Sequence, residues 1–183
     1  MSTTTRPMTA DELLHMPDDG MRHELVRGEL RTMPPSGGEH GAITFGLGGT
    51  MWQYLKAHPH GVALGAETGF ILARDPDTVR APDLAFIRQE RIPPAGIPQT
   101  YVPLAPDFVA EVVSPSDRPG EVNEKVAEWL AAGVRLVWVV RPKDRTVTVH
   151  RAAGGVTTLT AGDILDGQDV LPGFRCRVAD LFI

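Results

Sequence analysis

The chain has 183 residues, enough for one domain whose core takes roughly two thirds of the unfolded surface out of water. Hydrophobic residues make up 42% and charged residues 22%, ordinary globular usage that excludes wholesale disorder. Lysine and arginine number 18 against 23 aspartates and glutamates, a formal charge of −5, which excludes a uniformly basic, histone-like binder but not a local basic patch.

Cys176 is the sole cysteine, so no intramolecular disulfide and no cysteine-rich zinc site can form. No apolar run approaches the ~20 residues of a membrane span, and Met1 to Met8 lack a signal-peptide pattern. A cytoplasmic protein without a membrane partner is the expectation. Residues 1–7 read as a flexible lead and 8–183 as a single domain.

In chain order, Thr9-Ala10-Asp11-Glu12 predicts a capping box opening a short helix that stops before Pro17. Glu24 to Met33, turning at Gly28, predicts an N-terminal hairpin. Ser36 and Glu39 form a second capping-box pattern. Beyond it Ile43, Leu47, Met51 and Leu55 recur every four residues, a helical stripe. Val62–Leu72 and Val79–Ile87 flank Asp75-Pro76-Asp77 and read as an antiparallel pair; with the turn near Pro76, Glu67 would face Ala85 and lie diagonal to Asp83. Residues 91–106 carry five prolines and predict a functional loop. Phe108–Val113 reads as a central strand, Glu121–Ala132 as a helix ended by Gly133, and Leu136–Val140 as a buried strand. Thr146–Arg151 and Val156–Thr160, joined through Gly154-Gly155, predict a C-terminal hairpin. This order indicates an α/β domain with a mixed sheet.

Three residues are badly placed for a bland role. Glu111 shares a strand face with Val109 and Val113, and the other face is apolar too, so a carboxylate sits inside a buried strand. A solvent-facing strand end or a structural ion pair is the alternative. Lys125 shares a helix face with Val122, Val126 and Trp129; a snorkelling stem is its alternative role. Asp83 follows Pro82, a pair that is common in turns. Carboxylates with a lysine on one sheet suit Mg²⁺ or Mn²⁺ rather than zinc, and fit metal-assisted hydrolysis of a phosphodiester. Arg88, Arg91 and Arg118, near the ends of the two motif strands, are candidates for phosphate contacts. By contrast, Gly46-Leu47-Gly48-Gly49 lacks the Gly-Lys-Ser/Thr of a phosphate loop.

The ordered motif Pro82-Asp83, then Glu111-Val112-Val113, resembles the PD-(D/E)-x-K nucleases. Further blocks are similar to one bacterial family, the Uma-two restriction-endonuclease-like proteins. They are His23 to Leu30, Pro82 to Phe86, Pro106 to Ser116, Lys125 with Trp129 to Val134, and Leu171 to Phe174. The resemblance implies a restriction-endonuclease-like αβββαβ core with a mixed central sheet flanked by helices, plus the two hairpins. It implies Asp83 and Glu111 as metal ligands, with the Val112 carbonyl as a further one. The usual lysine position is Val113 here, and the resemblance moves that role to Lys125, the residue the helix-face argument also selects. Glu67, Glu39 and His40 are secondary candidates. The expectation is a Mg²⁺- or Mn²⁺-dependent DNA endonuclease with Lys125 positioning or activating the attacking water. It would work as a homodimer joined through segment 91–106 or the late hairpin. The alternative is a nuclease-fold module that binds nucleic acid or a protein partner without cutting.

Overall fold

Thr9 caps the first helix as its sequence predicts. Its hydroxyl accepts from the Glu12 N–H, and the Glu12 carboxylate accepts from the Thr9 N–H at 2.9 Å. The helix α1 is Ala10–Leu14. The computed structural model describes residues 6–182, so most of the expected flexible lead falls outside the described residues, although Arg6 and Pro7 are included and Arg6 ion-pairs with Glu12. Strands β1 (Arg22–Val26) and β2 (Glu29–Met33) form the expected hairpin. Its two-residue loop is Arg27-Gly28, with φ of 50° and 78°; a Cβ at Gly28 would also collide with Pro7.

The helix α2 (Gly38–Ala57) buries the predicted stripe Ile43, Leu47, Met51 and Leu55. Its start corrects the sequence reading. Gly37 is the N-cap and no side chain caps it, because the Ser36 hydroxyl accepts from Arg22 Nη1 at 3.0 Å instead.

The two long strands expected over 62–72 and 79–87 are each broken in two: β3 (Gly61–Gly65), β4 (Phe70–Ala73), β5 (Thr78–Arg80) and β6 (Leu84–Arg88). Two local features break them. Glu67 takes a left-handed φ of 68° between β3 and β4. Pro82 removes a ladder donor between β5 and β6. The antiparallel pairing holds but is split between sheets, β4 with β5 and β3 with β6. Leu64, not Glu67, therefore faces Ala85.

The central sheet has six strands in the order β10-β9-β8-β7-β6-β3, where β7 is Phe108–Val112, β8 Leu136–Arg141, β9 Thr146–Arg151 and β10 Val156–Leu159. Among the described strands of this sheet only β7 and β8 run parallel, and the helix α3 (Pro119–Ala131) makes their crossover. A second sheet, β2-β1-β5-β4, lies beside it, and β11 (Ile164–Asp166) pairs with β12 (Arg175–Arg177) around the Leu171–Phe174 turn. The late hairpin is the continuation of the central sheet. This is the expected αβββαβ core, α2-β3-β6-β7-α3-β8, interrupted by β4 and β5.

Strand alternation separates two cores. Phe108, Ala110 and Val112 pack with α2, Leu84 and Trp138 on one face. Val109, Ala85, Val137 and Val139 pack with Val126 and Trp129 of α3 on the other. Glu111 consequently points to the α3 face. Segment 91–106 is a loop, tied down by buried Val102, which bridges to Phe70.

Candidate active site

Glu111 leaves the middle of the sheet towards α3 and meets the two residues that the helix spacing places there. Lys125 Nζ donates to Glu111 Oε2 at 2.9 Å, and the Trp129 indole N–H donates to Oε1 at 2.8 Å. Lys125 also lies 3.1 Å from Glu24 Oε1 and donates to the Ala81 carbonyl at 3.4 Å. Glu24 is almost fully buried on β1. It accepts from Arg80 Nη1 at 2.7 Å and from the Ala81 N–H at 2.9 Å, and Arg80 reaches on to Glu128 at 2.6 Å. A chain of opposite charges thus runs Glu128, Arg80, Glu24, Lys125, Glu111 and links four elements.

Asp83 precedes β6, in a bend, and turns away from the face shared by Ala85 and Ile87. Its Oδ2 accepts from the Val112 N–H at 2.7 Å and lies 3.2 Å from His40 Nε2; Arg22 is 3.9 Å from Oδ1. The Val113 N–H bonds β8, so the Val112 amide is turned to the β6 side, where it meets Asp83. Asp83 opens into a cleft of about 890 Å³ beside α2. Glu111, Val112 and Lys125 line a smaller pocket of about 320 Å³ under β2 and α3. Asp83 and Glu111 still feel each other's charge.

The site holds four carboxylates, Glu24, Asp83, Glu111 and Glu128, against three permanent cations, Lys125, Arg80 and Arg22, and against His40, which faces Asp83 and adds a charge only when protonated. The negative excess falls on Glu111. Burial, reinforced by Asp83 and Glu24 and only partly offset by Lys125, pushes its carboxyl up to about 7. Burial alone would also raise Glu24 and Asp83. Lys125 and Arg80 hold Glu24 below its ordinary range, and His40 with the Val112 N–H hold Asp83 below its own. Burial opposes the charge on Lys125, but Glu111 and Glu24 overcome it and raise the ammonium above its usual value.

The remaining sequence candidates divide. His40 is buried against Asp83. Glu67 is exposed and lines the same cleft as Asp83, while Glu39 is exposed on the first turn of α2. Arg118 is exposed at the start of α3, its N–H donating to Glu121 at 3.4 Å. Arg88 and Arg91 do not join the site. Because β6 is antiparallel to β7, Arg88 is five residues from Asp83 along an extended chain, about 17 Å away. There the Arg88 N–H donates to Asp107 at 3.0 Å and Arg91 pairs with Asp107 at 3.0 Å. Glu24, Arg80 and Arg22 were not among the sequence candidates. The available signal was a glutamate in a hairpin strand directly before Leu25-Val26, two residues that are buried.

Among the described residues no three or more His, Cys, Asp or Glu side chains converge as a metal cage. The donor set still fits a hard divalent cation. It is all oxygen, it carries an excess of negative charge, and Mg²⁺ is usually held by one or two carboxylates with water and phosphate completing its shell.

No curated protein matches the sequence. The fold matches the crystal structure of a protein described as a putative nuclease belonging to DUF820 from Anabaena variabilis ATCC 29413, with a TM-score of 0.84 at 23% identity, covering 96% of this chain and 98% of that one. The Uma2 family profile, described as "Putative restriction endonuclease", matches residues 10–179, a span that contains every residue of the charged site. The chain therefore belongs to the Uma2 family of restriction-endonuclease-like proteins.

Proposed function

We propose that this protein is a divalent-metal-dependent phosphodiester hydrolase, a DNA endonuclease, whose centre is Asp83, Glu111 and Lys125. The observation that carries the reading is the buried pair Lys125–Glu111 at 2.9 Å, next to a second carboxylate, Asp83, in a site with more negative than positive charge. Asp83 and Glu111 would hold Mg²⁺ or Mn²⁺, with the Val112 carbonyl as a further oxygen donor. A cation bound there supplies Lewis-acid polarisation of the phosphoryl oxygen. Lys125 keeps its proton at neutral pH, so its role is that of a donor: it orients the attacking water and stabilises charge that builds on the phosphate. That charge state argues against Lys125 as the base that removes the water's proton. Glu24, on the far side of Lys125, fixes where the ammonium points, and His40 fixes Asp83.

One observation favours the second reading, a nuclease fold that binds without cutting: Lys125 and Trp129 between them occupy both oxygens of Glu111. Supercoiled plasmid incubated with Mg²⁺ or Mn²⁺ separates the two. Nicking by the wild type that disappears in Asp83→Ala, Glu111→Ala and Lys125→Ala supports the hydrolase. Metal binding by the wild type with no cleavage of DNA or RNA supports the binding module. No metal binding at millimolar concentration sinks both metal-based accounts.

A further inference from the structure

The cleft whose floor includes the buried Asp83 also carries two large aromatic side chains that the fold does not use. Phe45 is 84% exposed and Trp52 57% exposed, both on the outer face of α2, and both line the cleft that holds Asp83 and His40. The chain's other two tryptophans, Trp129 and Trp138, are fully buried. Phe45 and Trp52 are seven residues apart, two helical turns, so they lie on one face about 10.5 Å apart along the axis. Between them Gly48 and Gly49 leave the helix backbone bare: a Cβ at Gly49 would meet nothing, and one at Gly48 only Leu84 at 4.0 Å. Lys56 Nζ lies 5.7 Å from the Trp52 ring, placing positive charge at that end of the cleft. Arg22 lies at the Asp83 end.

We propose that Phe45 and Trp52 form a stacking platform for unpaired nucleobases, which makes single-stranded or locally opened nucleic acid the substrate class of the Asp83 cleft. This rests on the nuclease reading above and narrows its substrate. A base offers its π face to a protein ring only when it is out of the duplex stack. Stacking supplies affinity without a basic surface, which suits a chain of net charge −5. A second copy of the chain is the other occupant of such a face. Seating protein against the whole cleft would strip water from the carboxylates of Asp18 and Glu67, whereas bases on α2 leave both hydrated.

The test uses the full chain in EDTA, so that binding is read without cleavage. The probes are an oligothymidylate about 12 nucleotides long, within the span of known single-strand sites, and a duplex of equal length. Trp52 is the exposed tryptophan, so quenching of protein fluorescence reports on it directly. The single strand should quench that emission and the duplex should not. Read by anisotropy of a dye-labelled oligothymidylate, because Trp52→Ala removes the quenched reporter, Phe45→Ala and Trp52→Ala should each weaken single-strand binding about 5-fold to 150-fold, the range expected for one base–aromatic stack. Equal quenching by duplex and single strand, or unchanged affinity in both variants, overturns the proposal. So does a dimer by light scattering that both variants convert to monomer with oligonucleotide affinity unchanged, which would assign the face to a second copy. Single-strand binding that depends on Phe45 and Trp52, in a protein that nicks nothing with any metal, supports the platform while the hydrolase reading fails. Cleavage of duplex plasmid that is indifferent to both variants does the reverse.

Discussion

Glu111→Gln provides a test in which sign and size both follow from the structure. An ordinary glutamate titrates near 4.5, and burial beside Asp83 and Glu24 pushes Glu111 up to about 7 in the folded protein. Between these values the folded state holds a proton that the unfolded state has released. The stability of the metal-free protein therefore falls as pH rises through this window and levels off above about 7. One pH unit corresponds to about 1.36 kcal/mol, so the full span amounts to about 3 kcal/mol. Asp83 and Glu24 are held below their ordinary ranges and Lys125 above its own, so their titrations lie outside the window. The measurement is urea unfolding in EDTA from pH 4.5 to 8.5, with wild type and Glu111→Gln compared at each pH. The stability difference, wild type minus variant, should decline by about 3 kcal/mol and then flatten. Saturating Mg²⁺ should remove most of the decline, since a cation takes the place of the proton. A difference that is flat in EDTA, or that grows with pH, would refute the account of Glu111 as a carboxylate short of positive charge.

The other predictions are shorter. Lys125→Met leaves Glu111 and Glu24 facing each other across an emptied position and should cost about 3–5 kcal/mol by urea unfolding at pH 8. Adding Glu111→Gln should recover part of that stability and none of the cleavage, and recovered cleavage would remove Lys125 from the chemistry. Trp129→Phe deletes the N–H on Glu111 Oε1 and should cost about 1.5–3 kcal/mol at the same pH, while moving the Glu111 titration further up. A midpoint that stays in place would show that the indole carries no share of the charge. Arg88→Ala and Arg91→Ala should leave the plasmid-nicking rate within about twofold, because Arg88 ends β6 about 17 Å along the strand from Asp83 and Arg91, in the turn beyond it, pairs with Asp107. A tenfold loss in either would place nucleic acid at that end of the sheet.

The parts of the site that were legible in the sequence are those set by short-range periodicity. Alternation along Phe108–Val113 put Glu111 on the face of Val109, and that face packs against α3. Spacing along α3 put Lys125 one turn from Trp129, and both residues reach Glu111. Glu24 was not legible because its burial is non-local. It depends on β1 lying against β5, a pairing recorded at Leu25 and Val79, and on Arg80 arriving from 56 positions away. Glu67 was placed by assuming two unbroken strands, and its own left-handed backbone is part of what breaks them. Arg88 was drawn to the site by nearness in sequence to Asp83, yet a strand has two ends and Arg88 is at the other one.

The acidity of the chain acquires a local meaning from these contacts. A deficit of positive charge falls on Glu111, whose carboxyl is pushed up to about 7, and a bound cation would relieve it in place of the proton. A phosphodiester brings more negative charge to the same place, so it would be repelled from the proton-free, metal-free site and accepted once the cation is bound. The cation should then raise affinity for a nucleic acid strand seated at Asp83 far more than for bases held only at Phe45 and Trp52, which are neutral. Comparing oligonucleotide affinity with and without Mg²⁺ in Lys125→Met, where nicking should be lost, measures that difference without turnover. An equal gain in Lys125→Met and in Lys125→Met combined with Asp83→Asn would show that the cation acts elsewhere on the surface, and the charge argument for the site would fall.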